Sequence, residues 1–204
     1  MKKAASRFRN SGIFPILFCI ISCSPQLLEL SMNRVPVWFE RKFELTFPVE
    51  LHPSLCARLR GTPARLEELV RRSRRELLTA RPNNEKWSAQ EHAGHLLDLE
   101  PLWLARIDDF LKDGSELTAA DLNNRKTHEA NHNARPLDRI LAEFRDARLR
   151  LVQRAETIDP ALLARSMLHP RLKQPMRLVD HLYFVAEHDD HHLARIWEML
   201  NGVG

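Results

Sequence analysis

Apolar residues recur at helical spacing along most of the chain. Leu66, Leu69, Val70 and Leu77 share one face until Arg81-Pro82 interrupts them. Thr62 suits a cap and Pro63 a first helical position, so the pattern predicts helix one over about 63–80. Ser88-Ala89-Gln90-Glu91 has the form of a capping box, in which serine and glutamate satisfy each other's free backbone amides, and it opens helix two. The stripe of that helix is Leu96, Leu99, Trp103, Ile107 and Phe110, with Gly114 as its end. Pro101 inside it predicts a kink about one turn upstream. Leu137, Ile140, Leu141, Phe144, Ala147, Leu151 and Val152 predict helix three over about 136–157. Leu178, Leu182, Val185, Ile196, Met199 and Leu200 predict helix four over about 177–200, with Gly202 beyond its end.

Between these stripes the periodicity fails. Residues 33–61 hold Trp38, Phe39, Phe43 and Phe47 with three prolines and read as an irregular arm packed on the domain. Residues 115–135 are polar and rich in asparagine, and 158–176 are broken by Pro160, Pro170 and Pro175. Four amphipathic helices with long connections after the second and third predict an all-α fold, a four-helix bundle with an irregular N-terminal arm. Composition agrees, because 204 residues at 44% hydrophobic content exclude disorder, and six glycines with one tyrosine favour helix formers over a sheet.

The net charge of +4 is unevenly spread. Lys2, Lys3, Arg7 and Arg9 against Glu29 give residues 1–31 a net +3, which leaves +1 of the total +4 for residues 32–204. A near-neutral body offers no concentrated basic face for counterion release, so nucleic acid is excluded as a partner. Residues 1–10 are basic and 13–21 apolar apart from Pro15, which resembles a secretory leader too short to span a bilayer. Ile20-Ile21-Ser22-Cys23 resembles a lipobox, which would anchor a lipoprotein through Cys23. The favoured alternative is a start at Met32, which makes residues 1–31 an extension outside the fold, 32–204 the helical domain, and the protein cytoplasmic. Cys56 is the one cysteine of the body, so no disulfide framework or cysteine-rich metal site is available.

The ten histidines carry the chemistry. His181, His188, His191 and His192 fall within twelve residues of helix four. His188 and His192 are one turn apart, about 40° from each other around the axis, in the geometry of two metal ligands. They lie at the edge of the apolar stripe and so point into or along the bundle interior, whereas His191 points further round, towards solvent. In a bundle a third ligand comes from a facing helix, and helix two offers His92 and His95. By wheel angle His92 lies nearer the centre of its stripe. A set of three histidines leaves metal positions open for water or substrate. His181, two turns upstream on nearly the same face, reads as an outer partner or core residue. His128 and His132 repeat the four-residue spacing among Asn124, Arg125, Lys126, Asn131 and Asn133, and read as a solvated loop pair. Glu91, Asp98, Glu187 and Asp189 are the candidates to orient a ligating ring. No His-Glu-x-x-His occurs, and Phe184 stands where the inverted form needs its first histidine.

Trp87-Ser88-Ala89-Gln90-Glu91-His92-Ala93-Gly94-His95-Leu96, followed by Glu187-His188-Asp189-Asp190-His191-His192-Leu193-Ala194-Arg195-Ile196, resembles the DinB/YfiT-like superfamily of metalloenzymes over most of residues 60–200. That resemblance implies a ligand set of His95, His188 and His192, beside which the wheel positions and residue types read above leave His92, His181 and Asp98 as outer partners or, for His92, an alternative ligand. It implies a divalent metal ion, zinc or nickel foremost and iron or manganese also admissible to imidazole. The implied activity is that of a metal-dependent enzyme acting on a small molecule, activating water or a low-molecular-weight thiol, as a hydrolase or a thiol S-transferase. The alternative is a non-catalytic metal-binding or dimerising helical stress-response protein, and a homodimer is expected under either.

Overall fold

A computed structural model of the chain describes residues 35–81, 87–112 and 114–202. The leader and lipobox readings of residues 1–31, Cys23 and the Met32 start all lie outside the described residues.

The first long helix, α1, spans His52–Val70 and starts well before the expected 63–80. Leu55, Leu59, Thr62, Leu66 and Val70 are all buried and fall in one helical phase, so the stripe read after Thr62 begins a full two turns earlier. Pro63 lies inside the helix instead of opening it. A proline there removes the amide that would bond the Leu59 carbonyl, and Arg148 Nη1 approaches that carbonyl at 3.5 Å. Beyond Val70 a separate short helix, α2, covers Arg75–Thr79. The irregular arm is accordingly shorter than expected. It contributes one-turn segments at Trp38–Glu40 and Val49–Leu51.

Helix α3, Ala89–Leu111, begins at the capping box as the sequence predicts. The Glu91 amide donates to Ser88 Oγ at 3.1 Å and the Ser88 amide donates to Glu91 Oε2 at 2.8 Å. The polar connection carries a short helix α4, Arg125–Glu129, and a single turn at His132–Ala134. Helix α5 is Leu137–Glu156, and helix α6 is Leu178–Asn201, ended by Gly202 at φ 68°. The proline-broken segment before α6 folds as an antiparallel hairpin, β1 Ser166–His169 against β2 Gln174–Arg177, with Leu168 opposite Pro175. This small hairpin is an addition to the predicted all-helical bundle.

The four long helices pack so that α1 and α3 each contact both α5 and α6. Their directions follow from side-chain partners. Glu100 meets Arg148 and Asp108 meets Arg154, so α3 and α5 are parallel. His92 meets His192 and Trp103 meets His181, so α3 and α6 are antiparallel. Parallel neighbours cannot be joined by a tight turn, and the chain must travel back along α3, about 34 Å at 1.5 Å per residue. That return is why the connection from 112 to 136 is long, and it carries α4 and His132 over the N-terminal half of α3.

The apolar core forms two clusters, one around Leu59, Ile107, Phe110, Leu151 and Leu182, the other around Leu66, Leu96, Ile140, Phe144 and Ile196. Each such fully buried side chain contributes about 1.5–3 kcal/mol of transfer free energy. Together they fix the register of α3 against α6 and hence the relative positions of their histidines.

Candidate metal centre

The capping box fixes where α3 starts, and three residues later its first two turns present His92 and His95 towards α6. His188 and His192 come from α6, one turn apart. One nitrogen each of His95, His188 and His192 lies within 4.8 Å of the other two, and all three residues are buried. His188 Nε2 and His192 Nε2 stand 3.1 Å apart. Two imidazoles on a tetrahedral ion at about 2.0–2.1 Å place their nitrogens about 3.3 Å apart, so the spacing fits a shared ion.

Outer bonds decide which nitrogen of each ring is available. Thr127 Oγ1 donates its one proton to Asp98 Oδ2 at 3.0 Å. It must therefore accept from His95 Nδ1–H, 3.0 Å away, which leaves the lone pair on His95 Nε2. Asp98 Oδ2 also accepts from His132 Nε2 at 2.8 Å. Burial works against the Asp98 charge, but hydrogen bonds from His132 and Thr127 outweigh it and hold the carboxyl below its usual range. His192 Nδ1 meets His92 Nδ1 at 2.7 Å, so with His192 Nε2 turned to His188, His92 acts behind His192. Burial, followed by the neighbouring rings and cations, pulls His188 and His192 well below the ordinary histidine range. Burial and its neighbours likewise bring His95 to about 3. All three rings are neutral at physiological pH, the state in which imidazole ligates a metal.

The connection that supplies Thr127 and His132 is held against α3 by polar bonds. Gln90 Nε2 donates to the His132 carbonyl at 2.6 Å, and Ser88 Oγ donates to Asn133 Oδ1 at 2.7 Å. A Cβ on Gly94 would fall 2.2 Å from His132 Cγ, so only glycine admits the ring there. Gly94→Ala should therefore cost about 1–3 kcal/mol through overpacking and pull His132 off Asp98. A thermal melt checks this, and an unchanged midpoint would contradict the packing described.

Several sequence expectations are corrected by these positions. His132 is fully buried instead of solvated, because α3 carries glycine opposite its ring. His128 lines the adjoining cavity beside Trp87, with ring centroids 5.7 Å apart. His191 faces the same cavity and packs on Trp38 at 5.5 Å, where open solvent was expected. His181 does not reach the three rings, and its Nε2 donates to the Trp103 carbonyl at 3.0 Å. Glu91 is taken by its capping box and Arg81, Glu187 by Arg41 and Arg58, and Asp189 by Arg148 and Thr62. Of the four carboxylates considered, Asp98 is the one joined to a histidine of the cluster. Thr127, whose hydroxyl makes that link, had no signal in the sequence. Trp38 of the arm, 5.1 Å from the His188 ring, had only its aromatic character as a hint.

Buried neutral histidines also set an acid response. Burial brings His181 to about 3, and burial with the Arg106 charge brings His169 to about 3. In the unfolded chain both titrate near about 6.5. Below that pH the unfolded chain takes up protons that the folded chain refuses, so the stability contributed above pH 6.5 is lost progressively towards pH 3. Each such histidine steepens the loss by up to about 1.4 kcal/mol per pH unit. Urea midpoints of chelator-treated protein should fall from pH 7.5 to pH 5, and less steeply in His181→Gln. Midpoints independent of pH over that range would contradict the assignment.

The histidines open onto a cavity of about 750 Å³, walled by Trp38, Trp87 and Trp103. A family model of the DinB superfamily matches residues 58–196. The solved structure of YfiT from Bacillus subtilis, described as a probable metal-dependent hydrolase with an unusual four-helix bundle topology, is similar in fold. It has a TM-score of 0.70 and 20% sequence identity, over 80% of this chain and 93% of that chain. No curated protein matches the chain. With the family model spanning well over half of its length, the chain belongs to the DinB superfamily.

Proposed function

We propose that the protein is a metal-dependent hydrolase of a small molecule, with one divalent ion held by His95, His188 and His192. The observation that carries this reading is the convergence of three buried, neutral imidazoles on one point in the wall of a large cavity. Zinc and nickel suit three imidazoles best among available divalent ions, with iron and manganese as weaker candidates. The description of YfiT supports hydrolysis over the other chemistries open to such a site. What a bound ion supplies is Lewis acidity, which allows water to attack near neutral pH.

The protein's own residues orient the ligands and shape the space around them. Asp98 and Thr127 hold the proton on His95 Nδ1, and His92 takes the equivalent position against His192 Nδ1. Thr127→Val should weaken divalent metal binding by about 10–100-fold, the usual effect of removing a partner that orients a ligand. Calorimetric titration checks this, with unchanged affinity as the contrary result. The three indoles exclude water from the cavity walls and leave apolar surface for a substrate body.

The test is turnover. Untagged protein, stripped with chelator and reloaded with zinc or nickel, is assayed against carboxylic ester, amide and phosphoester panels, and against a low-molecular-weight thiol with an electrophile. Hydrolysis that disappears on stripping, returns on reloading and is absent in His188→Ala is the expected result. Metal-dependent S-transfer without hydrolysis, or no metal-dependent turnover by the loaded protein, would overturn the hydrolase reading.

A further inference from the structure

The same cavity contains a second group of nitrogen donors that metal binding does not use. Arg106 of α3 and His169 of β1 are each 1% exposed, and both line the cavity together with Arg171. Arg106 Nε donates to the Thr118 carbonyl at 2.9 Å, while its Nη1 stands 3.2 Å from His169 Nε2. At the other edge of that ring, the backbone amides of Arg171 and Leu172 both point at His169 Nδ1 from 3.2 Å. A neutral imidazole has one acceptor nitrogen. With Nδ1 accepting from two amides, Nε2 carries the proton and faces an arginine N–H, donor against donor. Arg171 adds a buried Nη2 that has no hydrogen-bond partner among the described residues.

Neither guanidinium makes an ion pair among the described residues. The nearby Asp109 carboxylate accepts from the Thr118 amide at 2.7 Å. Arg106 lies over the Trp103 ring at 5.5 Å, and Arg171 lies over Phe39 at 5.3 Å and Trp38 at 5.9 Å. Arg148, equally buried, holds two carboxylates. For Arg106 a buried cation without an anion is costly, and for the half-buried Arg171 the buried Nη2 left without an acceptor adds a cost of its own. Both costs end if an oxyanion enters the cavity.

We propose that Arg106, His169 and Arg171 bind an anionic oxygen group of the substrate, a carboxylate or a phosphate. An oxyanion among Arg106 Nη1–H, His169 Nε2–H and Arg171 Nη2–H gives each donor the acceptor it lacks. The geometry also bounds the substrate's length. Trp103, beneath Arg106, is 5.3 Å from the His188 ring, and Trp38, beneath Arg171, is 5.1 Å from it. One aromatic ring thus separates each guanidinium from the histidine cluster. The substrate class is a small acid whose anionic end and reacting bond are spaced by an aryl or short alkyl body. Naming the anion as the substrate's rests on the hydrolase reading, whereas anion binding itself does not.

The experiment measures binding of benzoate, inorganic phosphate and the neutral benzyl alcohol to the chelator-stripped chain, by calorimetry and tryptophan fluorescence. Stripping removes any ion that could itself hold an anion. Benzoate is expected to bind about tenfold or more tightly than benzyl alcohol, the effect of a charge-assisted hydrogen bond. That preference should disappear in Arg171→Met, which alters a half-buried side chain, and in Arg106→Met. Displacement of benzoate by phosphate assigns the site to oxyanions generally, and its absence assigns it to carboxylates. Equal binding of benzoate and benzyl alcohol, or a preference that survives in folded Arg171→Met, would overturn the proposal. An intact preference in a chain that takes up no metal removes the metalloenzyme reading alone, and a metal-loaded chain without the preference removes the anion site alone.

Discussion

His188→Ala and His192→Ala should each abolish stoichiometric binding of a divalent ion. A four-ligand structural zinc site holds its ion by about 10–16 kcal/mol, or about 2.5–4 kcal/mol per ligand. Loss of one imidazole from a set of three should therefore weaken binding by about a hundredfold to a thousandfold, which empties the site at micromolar protein. The effect on folding should have the opposite sign. His188 is buried with its Nδ1 lacking a partner among the described residues, and an unsatisfied buried polar atom costs about 1–3 kcal/mol. His188→Leu, which keeps apolar volume between Trp38 and Trp103, should leave the melting temperature of the stripped protein unchanged or raised. His128→Ala, on the cavity wall outside the cluster, should bind metal as the parent does. Calorimetric titration with zinc and thermal melts of the stripped variants check both halves. Metal affinity retained in folded His188→Ala would refute the role given to that ring.

Arg148→Met should cause the largest loss of stability. The guanidinium is fully buried and bonds Glu100 Oε1 from Nε at 3.0 Å and Asp189 Oδ1 from Nη2 at 3.0 Å. Thr62 Oγ1 donates to the other Asp189 oxygen at 2.8 Å, so residues from α1, α3, α5 and α6 meet at this point. Burial opposes the Arg148 charge, but Asp189 and Glu100 outweigh it and hold its pKa above the ordinary guanidinium value. Burial pushes Glu100 up, and its Oε2 has no hydrogen-bond partner among the described residues. Removing the cation leaves Asp189 buried without a countercharge, at a cost of about 3–5 kcal/mol, a large part of the about 5–15 kcal/mol that holds a typical domain folded. Asp189 adjoins His188 in the chain, so metal affinity should fall with stability. Glu100→Gln, which alters the acid already pushed towards neutrality, should cost far less. Urea midpoints of the two variants measure the difference, and an Arg148→Met midpoint within error of the parent would contradict it.

The parts of the fold that were legible in the sequence are those set by local rules. The capping box at Ser88 fixed the start of α3, and the stripes from Ile140 and Leu178 located α5 and α6. Helix α1 was misjudged because Thr62-Pro63 satisfies the local rules for a helix start, whereas its context is set by Asp189 and Arg148 from two other helices. The hairpin at Ser166–Arg177 was hidden because its strands are four residues long and one carries Pro175. In the site, spacing alone located His188 and His192, and a motif resemblance chose His95 over His92. The wheel could not make that choice, since both rings are buried on α3 and only the partners behind them differ. His132 and Thr127 were unreadable because they arrive on a crossover whose path depends on α3 and α5 being parallel. The anion site was equally unreadable, because it joins α3 to the β1–β2 hairpin hidden in the connection between α5 and α6.

The most direct measurement is elemental analysis of the purified, untagged chain after dialysis against zinc or nickel, with His188→Ala beside it. About one ion per chain in the parent and none in the variant is the result that three converging imidazoles require. A parent chain that stays metal-free under every loading condition, while folded as described, would contradict the metal centre and leave the buried histidines without the function proposed for them.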